Sequence, residues 1–267
     1  MWPHFRKEIP VNQPQPSQLP PAESQPDPSQ SAVDKSTDRV RRMFAEIAPR
    51  YDFLNHFLSL NIDRYWRART LSILDPKPGD PFLDVCTGTG DLALAASKRL
   101  REGTEVIGSD FCGEMLHFAR KKQQKMNLDR HRLAFLEADT TSLPFQDDWF
   151  QTVSVAFGLR NVVDTLQGLR EMVRVCRPGG TVAVLEFSQP TLPILKQLYG
   201  FYFRRILPGI GNKVAKNSKE AYAYLPASVS QFPSGEAMAD LMRQVGLEQV
   251  RYVPMTFGVA TLYLGRK

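Results

Sequence analysis

Leu83-Asp84-Val85-Cys86-Thr87-Gly88-Thr89-Gly90-Asp91 is the stretch whose reading decides the fold. An apolar strand over 81–85 runs into it, and a helical pattern over 91–100 runs out of it. Glycines allow a tight turn and let a ligand approach with no Cβ in the way. Such a bend over a helix N-terminus suits a nucleotide-like ligand in the crevice of an α/β sheet. The matching acid is Asp110, twenty residues beyond Gly90, which closes a second apolar strand over 105–109. A carboxylate there can accept hydrogen bonds from ribose hydroxyls.

Outward from this unit the alternation continues. Further strands are expected at 133–137, 152–156 and 181–187, with helices over 113–126 and 163–175. Strands alternating with amphipathic helices imply a mainly parallel sheet covered on both faces. Pro178-Gly179-Gly180 reads as a sharp turn into the fifth strand. A helix at about 234–245 and two late strands, near 248–253 and 257–264, suit a seven-stranded sheet with an antiparallel edge. The expected class is therefore α/β and Rossmann-like, with one catalytic domain over 37–267.

Two regions depart from the alternation. Over 37–75, stripes such as Val40, Met43, Phe44 and Ile47 predict two or three short helices, broken near Pro49 and Ser59–Asn61. Residues 189–232 are rich in Tyr, Phe, Lys and Arg with several helix breakers, and read as a mostly helical lid insertion. Ahead of everything, residues 1–35 are rich in Pro, Gln and Ser and read as a disordered tail.

Composition narrows the function classes. No stretch approaches the roughly 18–20 apolar residues a membrane span needs, so a soluble or peripheral protein is expected. Cys86, Cys112 and Cys176 are scattered without a CxxC pair, and the histidines lack metal-ligand spacing. A cytoplasmic setting and no metal are expected. The net charge of +6 is most simply a basic solvated face. No nucleic-acid partner is expected, because the basic residues form no single tract and no Asn/Asp-Pro-Pro-Tyr motif is present.

The glycine loop alone does not choose between ligands, since Gly88 to Ala93 also fits a loose GxGxxG/A dinucleotide fingerprint. Three features favour S-adenosylmethionine. Asp84 ends the first strand, where an acid can meet the donor's amino group, directly or through water. With Asp91 it would repel a pyrophosphate. Asp139-Thr140-Thr141-Ser142-Leu143-Pro144-Phe145 follows the third strand, and its polar start and apolar end suit an adenine. The two late strands suit the methyltransferase sheet. An NAD-dependent oxidoreductase is the competing reading.

With these motifs placed, the chain resembles class I methyltransferases, and in particular the menaquinone and ubiquinone biosynthesis C-methyltransferase family. Three stretches carry the resemblance: Val40 to Asn55 continued by Arg64-Tyr65-Trp66-Arg67, Phe157-Gly158-Leu159-Arg160-Asn161-Val162, and Tyr222 to Val229 with Phe232-Pro233. Leu60 and Asn61 stand in a turn where Gly is common in the family. The resemblance implies that Thr89, Asp110, Asp139 and Thr140 contact the cofactor, with Gly88 and Gly90 shaping the loop. It also implies methylation of a ring carbon of demethylmenaquinol or a related polyprenyl benzoquinol. A soluble small-molecule substrate is the alternative within the same fold.

Methylating a quinol carbon requires the ring to be held in line with the methyl and a phenol proton to be lost. Tyr51, Asp52, Arg160 and Asn161 are the candidates for that work. Arg160 can stabilise a phenolate by charge but is a poor base. Asn161 can donate to a quinol oxygen. Tyr51 can relay a proton or position the ring, and Asp52 or His56 could accept the proton directly or through water. The structural alternative pairs Arg160 with Asp164 and leaves Tyr51 packing. In the insertion, Lys196, Arg204, Arg205, Lys213, Lys216 and Lys219 interleave with aromatics. That pattern suits an anionic membrane surface that admits a polyprenyl tail, or else a lid with an aromatic core. Self-association is compatible with all of these features.

Overall fold

β1 (Phe82–Val85), β2 (Val106–Asp110), β3 (Leu133–Glu137), β4 (Phe150–Ala156) and β5 (Cys176–Phe187) pair in parallel. β6 (Glu248–Met255) and β7 (Ala260–Arg266) complete a seven-stranded sheet in the order β3-β2-β1-β4-β5-β7-β6. β7 runs antiparallel to both β5 and β6, so it alone opposes the other six strands and, beside the edge strand β6, supplies the antiparallel pairing expected at this edge of the sheet. This computed structural model describes residues 36–100, 104–129, 132–188, 190 and 219–267. The predicted tail and the middle of the insertion, 191–218, lie outside the described residues.

Burial follows position in the sheet. All four residues of the central β1 are buried, whereas the edge strands β3 and β6 are mostly exposed or half-buried. Continuous apolar runs are what a sheet covered on both faces requires. Pro254, which cannot donate to a ladder, sits on the edge strand β6.

Among the described residues the helices are α1 (Thr37–Ile47), α2 (Tyr51–Leu58), α3 (Ile62–Leu74), α4 (Asp91–Arg99), α5 (Gly113–Lys125), α6 (Thr165–Val175), α7 (Lys219–Gln231) and α8 (Glu236–Gln244). Leu169 and Met172 of α6 and Met238 and Met242 of α8 pack on the face that carries Leu83, Val85, Val153 and Val182. On the opposite face α4 covers Phe82 and Val106, and Trp66 of α3 covers Leu185 and Leu262. Trp66 Nε1 also donates to Thr256 Oγ1 at 2.8 Å.

The N-terminal segment forms three α-helices. Pro49 lies in a 3-10 turn (Ala48–Arg50) between α1 and α2. Leu60 and Asn61 both take positive φ, 52° and 62°, at the break before α3. Ile47 and Ala48 pack on Cys112 and Met115 at the start of α5, and Val40 and Met43 pack on Tyr224 of α7. The N-terminal helices therefore lie over the carboxyl ends of the strands.

The expected turn at Pro178-Gly179-Gly180 is not a boundary. β5 begins at Cys176, which pairs with Phe150, and the next pair is Thr181 with Thr152. The extra residues on β5 form a bulge with Gly179 at φ 75°. The chain's end steadies it: Gly179 N–H donates to the Lys267 carbonyl at 2.7 Å, and Lys267 N–H donates to that of Gly180 at 3.2 Å. Turn chemistry reports the local bend but not the distant backbone that pairs with it.

β1 and β4 are neighbours whose chains leave toward opposite sides, since β2 lies beyond β1 and β5 beyond β4. This is a topological switch point, where open α/β sheets place their ligands. The two exits meet at Gly158, where a Cβ would lie 2.4 Å from Cys86 Cβ and 3.2 Å from the Cys86 carbonyl oxygen. Gly158→Ala should lower stability by about 1–3 kcal/mol, because neither backbone can withdraw freely. An unchanged urea midpoint would show that the approach is not tight.

Candidate functional site

The bend after β1 reverses the chain through left-handed backbone at Cys86, Gly88 and Gly90, with φ of 49°, 58° and 82°. Asp110, at the end of β2, anchors it from the side: Gly88 N–H donates to Oδ2 at 2.8 Å and Cys112 N–H to Oδ1 at 2.9 Å. Burial pushes the Asp110 carboxyl up to about 6 even though these donors favour its charged form. Asp84 supports the bend from behind. It accepts Thr87 Oγ1 at 2.6 Å and Ser154 Oγ at 2.8 Å, and burial pushes it to about 6 as well.

In front of the bend lies a cavity of about 340 Å³. Cys86 and Gly88 border it from the bend, and Asp110, Phe111 and Met115 from the end of β2 and from α5. Asp139, Thr140 and Thr141 close another side; Asp139 Oδ1 accepts both the backbone N–H and the hydroxyl of Thr141 at 2.8 Å. Phe157, Gly158 and Asn161 come from beyond β4, and Phe44 and Tyr51 from the N-terminal helices. A Cβ on Gly88 would come within 3.8 Å of the Tyr51 ring, so any side chain there would stand between the bend and α2.

Of the predicted cofactor residues, Gly88, Asp110, Asp139 and Thr140 meet on this cavity; Asp84, Thr89 and Gly90 do not border it. The arrangement fits S-adenosylmethionine. A glycine leaves the approach open, an acid stands where a ribose would lie, and a polar corner at Asp139 gives way to the apolar Phe111 and Met115. A pocket of this size and mixed lining is ordinary for a small-molecule ligand.

Thr89 turns the other way, into a charged latch. Its hydroxyl donates to Asp52 Oδ1 and accepts from Lys122 Nζ at 3.0 Å. Lys122 pairs with Asp52 at 2.6 Å and with Asp91 at 2.6 Å, and Arg67 lies 3.7 Å from Asp91 while bonding Asp63. His56 Nδ1 completes the chain at 2.8 Å from Asp63. Burial alone would raise Asp91, but Arg67 and Lys122 outweigh it and hold the carboxyl below its ordinary value. Ligand atoms of His56, Asp63 and Asp91 fall within 4.8 Å of one another, yet these carboxylates are already neutralised by Arg67 and Lys122. Neither Asp52 nor His56 borders a cavity described here.

Tyr51, Asn161 and Phe44 are shared with a second, smaller chamber of about 60 Å³, walled further by Leu54, Asn55 and Arg160. Arg160 does not pair with Asp164, which instead caps α6 by accepting Gln167 N–H at 2.9 Å. Its partner is the buried Glu186 at the end of β5, 3.0 Å from Nη1, and the same Nη1 donates to the Phe157 carbonyl. The guanidinium also lies over the Phe187 ring at 5.3 Å. Arg160 Nε and Asn161 Oδ1 are buried with no hydrogen-bond partner. Such atoms cost roughly 1–3 kcal/mol each unless something else satisfies them. Burial raises the Tyr51 hydroxyl above its ordinary value, against an opposing hydrogen bond from Asn55, so it stays protonated.

Glu186 and Lys122 were not singled out from sequence. An acid inside the apolar run Val182 to Phe187 is the signal that could have found Glu186. Lys122 sits among Arg120, Lys121 and Lys125 on one helix, and nothing local distinguishes it.

The neutral form of Asp84 is the one this fold prefers. Its contribution to stability is complete below the unfolded value of 3.8 and is lost as pH rises through about 6. Relative to Asp84→Asn, which cannot ionise, the ligand-free wild type should lose on the order of 2–3 kcal/mol between pH 4 and pH 7.5. Urea titrations of both proteins across that range check it, and a constant difference would show that Asp84 is not desolvated.

Comparison with known proteins agrees with this geometry. The model of the ubiE/COQ5 methyltransferase family matches residues 32–267. The chain is 43% identical over 238 residues to the ubiquinone/menaquinone biosynthesis C-methyltransferase UbiE of Geobacter sp. (strain M21), covering 88% of this chain and 99% of the relative. It is 40% identical over 233 residues to the demethylmenaquinone methyltransferase of Bacteroides fragilis, covering 87% and 94%. Among solved structures, a SAM-dependent methyltransferase from Aquifex aeolicus superposes with a TM-score of 0.55 at 19% identity, covering 74% of this chain and 88% of that one. Haemonchus contortus phosphoethanolamine N-methyltransferase 2, bound to S-adenosylhomocysteine, gives 0.56 at 16%, covering 75% and 52%. At such identities the structures speak for the fold alone. The family match across nearly the whole domain and the close relatives speak for more: the chain belongs to the ubiE/COQ5 methyltransferase family.

Proposed function

We propose that this enzyme transfers a methyl group from S-adenosylmethionine to a ring carbon of a lipid quinol, demethylmenaquinol first and a polyprenyl benzoquinol as the second substrate class. The observation that carries this is the shared wall of the two chambers. Phe44, Tyr51 and Asn161 border both, and the smaller chamber is mostly apolar apart from Arg160 and two amides. A flat ring with two oxygens suits such a space.

S-adenosylmethionine supplies a methyl activated on a positive sulfur when bound. Gly88, Asp110, Asp139 and Thr140 would hold it. The ring carbon becomes nucleophilic when a neighbouring phenol loses its proton, so the protein must favour the phenolate and hold the ring in line. Arg160 serves the first need: a cation that borders the smaller chamber, its guanidinium held in place by Glu186 and the Phe157 carbonyl at Nη1. Asn161 serves the second, because it borders both chambers and its amide can hydrogen-bond a quinol oxygen there. Tyr51 stays protonated and, bordering both chambers, can hydrogen-bond the quinol oxygen while the phenol proton passes to water. We assign Asp52 to the latch rather than to proton transfer, since Lys122 and Thr89 already engage its carboxylate. His56, engaged with Asp63, is assigned likewise.

The polyprenyl tail places the substrate in a bilayer, so peripheral contact with an anionic membrane surface belongs to the same proposal. No described helix is long and apolar enough to cross a membrane. The cations expected to make that contact, from Lys196 to Lys216, lie outside the described residues.

Turnover with a labelled methyl donor on reduced demethylmenaquinone, beside a demethylated benzoquinol, tests the reaction directly: label should enter the naphthoquinol ring faster. Arg160→Ala should reduce turnover by about 10²-fold or more at unchanged affinity for S-adenosylhomocysteine. Normal turnover in that variant would remove Arg160 from the chemistry.

A further inference from the structure

We infer that the outward face of α2 is a docking surface for an anionic lipid bilayer, an inference that rests on the lipid-quinol reading above. α2 has two apolar sides. Tyr51, Leu54 and Asn55 wall the smaller chamber. Phe53 and Phe57, one helical turn apart, instead stack on each other at 5.8 Å between ring centroids and remain 59% and 46% exposed. Leu60, in the turn that follows, is 77% exposed. Single exposed apolar residues are common, but a stacked aromatic pair continued by a leucine forms a patch, and patches mark contact surfaces.

Charge selects the occupant. Around α2 and α3 the exposed ionisable side chains include Arg50, Arg64 and Arg69. The acids within α2 and α3 are already engaged: Asp63 is buried against Arg67, and the half-buried Asp52 is held by Lys122 and Thr89. The segment thus exposes aromatics and three arginines, while Asp52 is engaged by Lys122 and the exposed Asp75 beyond α3 is paired with Lys77, a composition that suits an anionic interface. A second copy docking through the same face would bring those arginines against each other, which like-charge repulsion disfavours. A bilayer also supplies what the inner side of the helix needs, because a ring tethered to a polyprenyl tail has to reach a chamber walled by the same eight-residue helix.

The test uses the full-length protein and vesicles of phosphatidylglycerol and phosphatidylcholine. Wild type should co-sediment with them at low salt and dissociate as salt rises. The double variant Phe53→Ser, Phe57→Ser should bind at least about ten-fold more weakly. Both proteins should methylate a tail-less naphthoquinol at equal rates, and only the variant should slow on the long-tailed quinol in vesicles. Equal vesicle binding by the two proteins overturns the inference. So does a lower native mass of the variant without lipid, which would identify a second copy as the occupant, or slower turnover on the tail-less quinol by a folded variant. Should the double variant not fold, Phe53→Trp is the second probe: its fluorescence should be quenched by brominated lipid beyond the wild-type signal, and no added quenching overturns the inference equally. Failure of the wild type on every quinol would count against the proposed reaction, while vesicle binding would still decide the surface.

Discussion

The hydrogen bond from the Gly88 amide to the Asp110 carboxylate ties the ends of β1 and β2 into one mouth. The wall that the bend and β2 give the larger cavity rests on it. The bend passes through three left-handed residues, one of them Cys86, and such a backbone persists only where neighbours over-determine it. Asp110 does so from the side and Asp84 from behind, each as a buried acid pushed to about 6. Two desolvated carboxylates destabilise the empty fold near neutral pH. They are tolerated because their oxygens are hydrogen-bonded, and at Asp110, which borders the larger cavity, a ligand bearing hydroxyl donors can add to that.

A second set of charges holds α2 in register with the same bend. Lys122 reaches from α5 to Asp52 on α2 and to Asp91 at the start of α4, and Thr89 in the bend touches both Lys122 and Asp52. The helix that carries Tyr51 is therefore fastened to the same bend that would carry the cofactor. Across the mouth, Glu186 fixes Arg160 from the end of β5. Strand order and charge pairing together bring the N-terminal helices and the segment after β4 to the boundary between two chambers.

Much of this was legible in the residues. Apolar runs separated by amphipathic stripes marked all seven strands, because each strand's environment is written locally in its burial. Gly88, Asp110, Asp139 and Thr140 were legible for a related reason, since each follows a strand at its carboxyl end. What failed was pairing at a distance. The Pro178-Gly179-Gly180 bend is a bulge within β5 only because the Lys267 backbone lies beside it. Arg160 pairs with Glu186, distant in sequence, while the nearby Asp164 caps α6. Asp52 and Thr89, expected to serve chemistry and cofactor separately, proved to be bonded to each other. An ionisable side chain's partner depends on three-dimensional neighbours, and neither spacing nor residue type encodes them.

Calorimetric titration of S-adenosylhomocysteine into wild type and Asp110→Ala, with NADH as the control ligand, bears most directly on the mouth formed by β1 and β2. Wild type is expected to bind S-adenosylhomocysteine and not NADH, and Asp110→Ala to bind it at least about ten-fold more weakly, a loss of roughly 1.4 kcal/mol or more, while remaining folded. Equal affinity in the two proteins, or tighter binding of NADH than of S-adenosylhomocysteine by wild type, would contradict the role given to that carboxylate and to the bend it holds.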